Sequence, residues 1–585
     1  MNLRLSPMGH RTSTLPRFTQ FYLTLPENLG ADLLNDGIYE LPGAWKFFTR
    51  LPAGKAVLIY CAGFTAVALA FARHVARVAV TGLHPAEAEI LTELARLKQL
   101  DNLEILPAQA ALHGPYAQII VLADTRGLSN GTLADFARQL QTVLTGGEEW
   151  VLLVRADSAA TLANRSKRLL RRLLGRGAPD RSNGAVRLCL RNAPALTREQ
   201  MLALFPAPRQ ALCAEVCVSP GFLRPKWISC KANSETSSPL PATGEAGAEH
   251  LLIAGRARDA SFFQRLLQHL SPAGEAGWQA RGPGRVLSGG KLQIELWRET
   301  PAAPQQALLK LPLIASAEKR LQENAATLAR LQQAEALTPE QRRLFPLTLQ
   351  AGQFEQQCFQ LESFLPGRSL DRLPETLARD PQVIHHLLHC WRGIQEKFVQ
   401  PVLVDDSVFH RLFVAVLHAV QEWLAPEPAV CQRLQRVVDY WHRQFHGRTL
   451  ACGLVHGDFS IKNILLDPQR RAITGLIDWD LADFFSLPTM DVLHFFIRLD
   501  SRSFQDVPPV IALRLIKSKA GLPQRLLNAV AESYGCQPAD WPGVVMLYWL
   551  HRQRGYLGSP KNLNARFVRR QFHEVLELFE REILC

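Results

Sequence analysis

The chain has 585 residues, 47% hydrophobic and 20% charged, with a formal net charge of +13. That length exceeds one hydrophobic core, so two or more domains are expected, and the composition excludes a disordered or fibrous chain. The positive balance favours anionic partners such as nucleotides, phosphorylated glycans, membrane surfaces or nucleic acid, without choosing among them. The 11 cysteines form neither a zinc spacing nor a disulfide framework, the N-terminus has no apolar signal-peptide core, and no apolar run is long enough to span a bilayer. These features predict a cytoplasmic protein in a reducing compartment.

From Lys55 onward strands and helices alternate. AVLIY (56–60) reads as a buried strand, 62–74 as a helix and ARVAVTG (76–82) as a second strand. Helix 85–97 follows, with Glu87 and Glu89 near the end that favours acids. LEILP (103–107), AQIIVLA (117–123) and EWVLLVRA (149–156) read as further strands, with a helix over 131–144 before the last. Such alternation predicts a doubly wound, mostly parallel α/β sheet. Its order and lengths resemble a class I methyltransferase that uses S-adenosylmethionine, over roughly residues 50–230. The family's cofactor loop here reads Tyr60-Cys61-Ala62-Gly63-Phe64-Thr65-Ala66, with a single glycine and the bulky Phe64. Glycine in such loops allows close backbone approach. The acid that ends the second strand in that family is missing from Val80-Thr81-Gly82. The resemblance therefore implies a degenerate methyltransferase-like domain over 1–231, an anchor or recognition module, and the departures count against S-adenosylmethionine as its cofactor.

The segment 165–176, RSKRLLRRLLGR, runs from Arg165 to Arg176. It reads either as an amphipathic helix making peripheral contact with anionic lipid, or as a solvated cationic face with its leucines packed inward. No aromatics interleave its charges, so no nucleic acid partner is expected. ANSETSSPLPATGEAGAEH (232–250) is small, polar and rich in Pro, Ser and Gly, as an interdomain linker would be.

Beyond the linker, Leu287-Ser288-Gly289-Gly290-Lys291 reads as a strand–turn–strand. Its backbone N–H groups could lie over phosphates, though Gly-Gly is also an ordinary hairpin turn. In the strand 307–311, Lys310 stands among leucines. An unpaired buried ammonium is costly, so an anionic partner is expected. Ser316 can cap a helix running to about Ala336, in which Glu318 and Glu323 are the candidate partners and Glu323, deeper in the helix, is preferred. FQLESFL (359–365) reads as a strand leading into Pro366-Gly367, and 382–397, 408–424 and 432–444 show helical apolar spacing.

The stretch 454–480, LVHGDFSIKNILLDPQRRAITGLIDWD, predicts a hairpin with strands 463–466 and 472–477 turning at Asp467, Pro468 and Gln469. The hairpin should draw Asp458, Asn463 and Asp478 into one cleft. Two carboxylates and an amide are oxygen donors suited to Mg²⁺. His456-Gly457-Asp458, Asn463 and Ile477-Asp478-Trp479 resemble the signature of the aminoglycoside phosphotransferase family, the small-molecule branch of the protein-kinase-like fold that choline kinases share. The resemblance implies an α+β bilobal domain, with an N-lobe over 251–365 and a helical C-lobe over 366–585. It assigns the hydroxyl proton to Asp458 and the metal to Asn463 and Asp478. Lys310 would pair nucleotide phosphates and a helix glutamate, Gly289 and Gly290 would cover the phosphates, and the backbone around Glu362 and Phe364 would bind adenine. His456 would hold the loop rather than act as base, and Asp491, in the first turn of a helix started by Pro488, would stabilise it.

The implied reaction is ATP- and Mg²⁺-dependent phosphoryl transfer to a hydroxyl, with little covalent work for the protein to do. The C-terminal stretch carries Arg498, Arg502, Arg514, Lys517, Lys519, Arg525, Arg552, Arg554, Arg566, Arg569 and Arg570, which argues against a polycationic substrate. An anionic or neutral sugar fits better, and the tail after Asp480 resembles family members linked to cell-surface polysaccharide assembly, which implies a small-molecule or glycan acceptor in that synthesis. The alternatives are a bifunctional kinase–methyltransferase that caps a polysaccharide, and a pseudokinase scaffold.

Overall fold

The computed structural model describes residues 46–47, 54–60, 65–83, 85–97, 99–107, 116–121, 149–155, 212–219, 227–232, 249–254, 261–271, 276–287, 289–301, 303–424, 428–469, 471–503, 534–557 and 569–584. The loop 61–64, the expected helix 131–144, the basic segment 165–176 and residues Arg514, Lys517, Lys519, Arg525 and Arg566 lie outside them. The chain divides into two compact units, one formed from 25–321 and 349–363, the other including 322–348 and 364–585.

The first unit is organised by one long mixed sheet. Strands β1 (Ala56–Tyr60), β2 (Arg77–Thr81), β3 (Leu103–Ile105), β4 (Gln118–Val121) and β5 (Glu149–Arg155) lie in the order β3-β2-β1-β4-β5, all parallel. Val57, Leu58, Ile59, Val78, Ala79 and Val80 are fully buried, as expected of parallel strands covered on both faces. The helices Thr65–Ala72 and Pro85–Leu97 supply crossovers. This is the doubly wound α/β arrangement that the alternation predicts.

Three antiparallel strands continue the sheet. β6 (Leu212–Ser219) pairs with β7 (Trp227–Ala232), and β8 (Glu249–Ala254) inserts between β5 and β6. Residues read above as the end of a linker and the start of the N-lobe thus form a strand of this sheet, with Val151 opposite Ile253 and Val216 opposite Leu251. The sheet then runs on through β10 (Gly284–Leu287), which pairs with β7 at Gly284↔Ile228 and Arg285↔Trp227. β9 (Gln279–Ala280), β11 (Lys291–Arg298), β12 (Gln305–Pro312), β13 (Thr348–Phe354) and β14 (Gln357–Ser363) complete it, in the order β10-β11-β12-β14-β13 with β9 beside β11. Leu292, Ile294 and Leu296 alternate inward along β11, and Leu309 and Leu311 along β12. The helix Phe262–Leu270 begins in a capping box between Ser261 and Gln264 and buries Phe262, Phe263, Leu266 and Leu270.

The second unit is mainly helical, as the spacing predicts. The helices Pro381–Gln395, Ala415–Leu424, Pro428–Phe445, Thr489–Ser503 and Trp541–Leu557 surround a core that includes Trp391, Trp441, Trp479 and Trp549. The region 408–424 reads as one helix in the sequence. It starts instead at Asp406, capped by Asp405, and passes through a π-helical turn at His410–Val414. The helix Ala315–Gln333 begins one residue before Ser316, which therefore lies inside its first turn rather than at the cap. Two small sheets complete the unit. β15 (Arg368–Ser369) pairs with β18 (Ile464–Asp467), which pairs with β19 (Ala472–Leu476). β16 (Gln400–Leu403) pairs with β17 (Thr449–Val455), which pairs with β20 (Asp483–Ser486). No helix among the described residues is long and apolar enough to cross a membrane.

Candidate active site

The hairpin β18–β19 forms where the two apolar runs predict it, with Ile464 opposite Leu476. Its turn is set by Asp467, whose Oδ1 accepts from the N–H of Gln469 at 2.9 Å. Between β17 and β18 runs the loop that carries the signature. Gly457 has φ +78°, and a Cβ there would come within 2.1 Å of the Leu481 oxygen, so only glycine fits. Asp491, in the first turn of its helix, accepts from the N–H groups of His456 at 2.7 Å and Gly457 at 3.0 Å. Complete burial pushes the Asp491 carboxyl up to about 7, against the pull of those two hydrogen bonds.

His456 is fully buried beside Trp479, ring centroids 4.4 Å apart. Its Nε2 is 3.0 Å from the Ile477 oxygen, and the Asp458 N–H points to its Nδ1 at 3.4 Å. Those partners assign the neutral ring with its proton on Nε2, and burial lowers its pKa. His456 therefore joins the loop to the second strand of the hairpin and is not placed as a base.

Asp458 is gripped from several sides. Oδ1 meets Nε2 of His494 at 2.8 Å and a guanidinium nitrogen of Arg552 at 3.2 Å. Oδ2 and the backbone oxygen each accept from Nδ2 of Asn463 at 2.9 Å. Arg552 also donates to the Gly457 oxygen at 3.0 Å, and His494 Nδ1 lies 2.7 Å from the Tyr548 hydroxyl. Burial, followed by the charge of Arg552, pushes His494 down to about 4, so it is neutral near pH 7 and gives its Nε2–H to Asp458. Burial alone would raise the Asp458 pKa. The hydrogen bond and proximity of His494, then the charge of Arg552, outweigh it and hold the carboxylate below its ordinary range. The side chain keeps 30% of its surface exposed, so an ionised carboxylate stays reachable.

Asp478 follows β19 with φ +67°, a backbone conformation uncommon outside glycine. Hydrogen bonds on both sides fix it there: the Ile477 N–H to the Asn463 oxygen, and the Trp479 N–H to Oδ1 of Asn324, each at 2.9 Å. Asp458 and Asn463 are thus in direct contact, and Asp478 lies one residue beyond the position that hydrogen-bonds Asn463. The donor set suits a hard divalent cation. The Asn463 amide nitrogen is committed to Asp458, which leaves its oxygen as the acceptor, and Asp478 supplies a carboxylate.

In the first unit, Lys310 is buried and paired, but not with the expected helix glutamate. Its Nζ meets both carboxylate oxygens of Glu362, at 2.9 and 2.8 Å. β12 and β14 set Lys310 opposite Gln360 and Leu308 opposite Glu362, so the two charges are diagonal neighbours on one sheet face. Glu323 is exposed on its helix, and Glu318 accepts from the Cys358 thiol at 2.9 Å. Glu362, expected to act through its backbone, is committed through its side chain. Phe364 follows β14, half-buried. Gly289 and Gly290 form the β10–β11 turn, where Gly290 has φ +77° and a Cβ would come within 2.6 Å of Ile314.

At the end of β2, Thr81 is buried and its hydroxyl lies 3.3 Å from the Pro107 oxygen, while Gly82 has φ +75°. These residues provide no carboxylate for ribose hydroxyls and do not fit S-adenosylmethionine.

The sequence reading did not place His494, Tyr548 or Arg552 at the site. Their signal was helical spacing: His494 is three residues after Asp491, and Arg552 four after Tyr548, so each pair shares a helix face.

The fold of the second unit and the course of this loop are those of a kinase-like lobe. Residues 296–505 match the phosphotransferase enzyme family, APH. Among solved structures, an aminoglycoside-3'-phosphotransferase of type VIII is 17% identical, with TM-score 0.31, over 50% of this chain and 97% of that one. An aminoglycoside phosphotransferase APH(3'')-Id from Streptomyces rimosus, in complex with ADP and streptomycin, is 16% identical, with TM-score 0.30, over 50% and 97%. A coclaurine N-methyltransferase is 19% identical, with TM-score 0.16, over 17% of this chain and 31% of its own. No curated protein matches the chain.

Proposed function

We propose that the chain is an ATP- and Mg²⁺-dependent phosphotransferase acting on a hydroxyl of a small molecule or glycan. The observation that carries this reading is Asp458, a reachable carboxylate held ionised by His494, Arg552 and Asn463. Asp458 would take the proton of the acceptor hydroxyl as its oxygen attacks the γ-phosphorus and ADP leaves. Asn463 and Asp478 would hold Mg²⁺, which when bound neutralises charge on the phosphates. Lys310 would clamp phosphate oxygens, with Glu362 fixing the position of its ammonium. Gly289 and Gly290 would offer backbone N–H groups to the phosphates.

The basic residues of the C-terminal stretch, Arg498 and Arg569 among them, disfavour a polycationic drug as acceptor and favour an anionic or neutral sugar. A place in cell-surface polysaccharide synthesis, at the cytoplasmic side, is consistent with that chemistry. Phosphate-transfer screening over sugars and lipid-linked glycans identifies the acceptor. With it in hand, Asp458→Asn should lower turnover by about 10²–10⁴-fold. Unchanged turnover would end the assignment.

The rival reading is a pseudokinase scaffold, although a lysine held by a glutamate is the arrangement that an active kinase uses. ATP binding that ignores Mg²⁺, with no transfer to any acceptor, would support that reading.

A further inference from the structure

Away from Asp458, the last turns of the helix Pro428–Phe445 carry His442, and His446 follows just past its end. The four-residue spacing puts both imidazoles on one side, and their rings stack with centroids 4.3 Å apart and planes 15° apart. Asp406, at the start of the short helix Asp406–Phe409, reaches the same place, its Oδ1 3.0 Å from Nε2 of His446. One donor atom from each of Asp406, His442 and His446 lies within 4.8 Å of the others.

The backbone holds this cluster together. Val404 donates to the Arg448 oxygen, and Gly447 donates to the Val404 oxygen, both at 2.9 Å. Asp405 caps the short helix by accepting from Val408 at 2.9 Å. Arg448 is fixed in turn by two hydrogen bonds to Asp540, at 2.7 and 2.8 Å. Phe409 backs both imidazoles edge-on, with centroids 5.2 Å from His442 and 6.1 Å from His446. An ordinary ion pair would account for Asp406 and His446, but not for His442 brought to the same carboxylate.

We propose that Asp406, His442 and His446 form a site for a first-row divalent transition ion, with Zn²⁺ the best fit. Two imidazoles suit Zn²⁺, Ni²⁺ or Cu²⁺ better than the hard Mg²⁺, which takes oxygens. Two histidines and one carboxylate leave tetrahedral zinc one position for water. With Zn–N and Zn–O bonds of about 2.0–2.2 Å, donor atoms should stand roughly 3.3–3.5 Å apart. The 3.0 Å pair must open slightly, which the 60% exposed Asp406 side chain can do by rotation, and the imidazoles must turn out of their stack so that both in-plane lone pairs face the ion. The negative end of the long helix points the same way and favours a cation. The ion would tie the short helix to the end of the long one. It lies outside the proposed phosphotransfer machinery, so neither reading depends on the other.

The test is titration of the full-length, metal-stripped protein with ZnCl₂ by calorimetry, alongside His442→Gln and His446→Gln. One equivalent should bind to the wild type. Either substitution should weaken that step at least about tenfold, because even outer-shell changes cost about 10–100-fold. Identical titrations of wild type and both variants, or no binding to the wild type, would overturn the site. A readout on the unaltered chain covers variants that fail to fold: diethyl pyrocarbonate labelling with mass spectrometry. Zn²⁺ should protect His442 and His446 together, and labelling of both that is indifferent to Zn²⁺ would refute the proposal.

Discussion

Asn463 holds Asp458 twice with one nitrogen: its Nδ2 donates to the backbone oxygen and to Oδ2, both at 2.9 Å. The amide is thereby oriented, its nitrogen spent on the carboxylate and its oxygen left for another partner. Asn463→Ala should lower the rate by at least about tenfold and raise the Mg²⁺ concentration needed for half-maximal rate. Rate measurements across a Mg²⁺ series check both. An unchanged Mg²⁺ requirement would remove Asn463 from the metal.

His494 controls the charge of Asp458 through its Nε2–H. Activity needs the ionised carboxylate, and the wild-type carboxyl titrates below its usual range, so the acidic limb of kcat/KM should fall at unusually low pH. His494→Ala removes the hydrogen bond, lets burial raise the Asp458 pKa and moves that limb upward. His494→Gln, which retains an N–H donor, should move it less. A pH profile of kcat/KM for the three proteins decides.

Stability should report the same histidine. Its folded pKa, about 4, lies below the ordinary 6.5, so its contribution is present above pH 6.5 and is lost as the pH falls through 4. His494→Gln has no such titration. The deficit of the variant should be largest near pH 7 and shrink by roughly 3 kcal/mol by pH 4. Denaturant melts at several pH values measure it, and a pH-independent deficit would contradict a neutral buried ring.

Lys310 and Glu362 are a buried pair, 5% and 2% exposed. Lys310→Met or Glu362→Leu alone strands a charge and should cost about 3–5 kcal/mol of unfolding free energy. The double variant should recover most of that loss. A double-mutant cycle in denaturant checks the coupling, and additive losses would show that the pair is not coupled.

Gly457→Ala should destabilise the loop, because φ +78° costs a side chain about 1–2 kcal/mol and the added carbon would strike the Leu481 oxygen. Thermal melting and loss of turnover should appear together. Gly447→Ala makes a useful control: its φ is +77°, but nothing lies within 4 Å of its Cβ position, so only the conformational cost remains.

What the sequence revealed depended on how locally each feature is encoded. Apolar runs and turn chemistry sufficed for β18–β19, and a first-turn acid pointed to Asp491. The parallel strands were legible as unbroken apolar runs. The partner of Lys310 was misassigned because a diagonal pair depends on the register of β12 against β14, which composition does not encode. His494 and Arg552 were missed because they reach Asp458 and Gly457 from helices 36 and 95 residues further along the chain. Strand β8 was hidden because its apolar run stands directly after a polar, Pro- and Ser-rich stretch, where a new domain is the simpler expectation.

The pairing of Gly284 and Arg285 with Ile228 and Trp227 bears on any effort to isolate the phosphotransferase region. A truncated chain starting after β8 would strip that neighbour away and leave N–H and C=O groups of β10 bare along an edge. Such an edge recruits strands from other molecules. The shortened protein should therefore self-associate in proportion to its concentration, while the intact chain, with that edge covered by its own strand, should not.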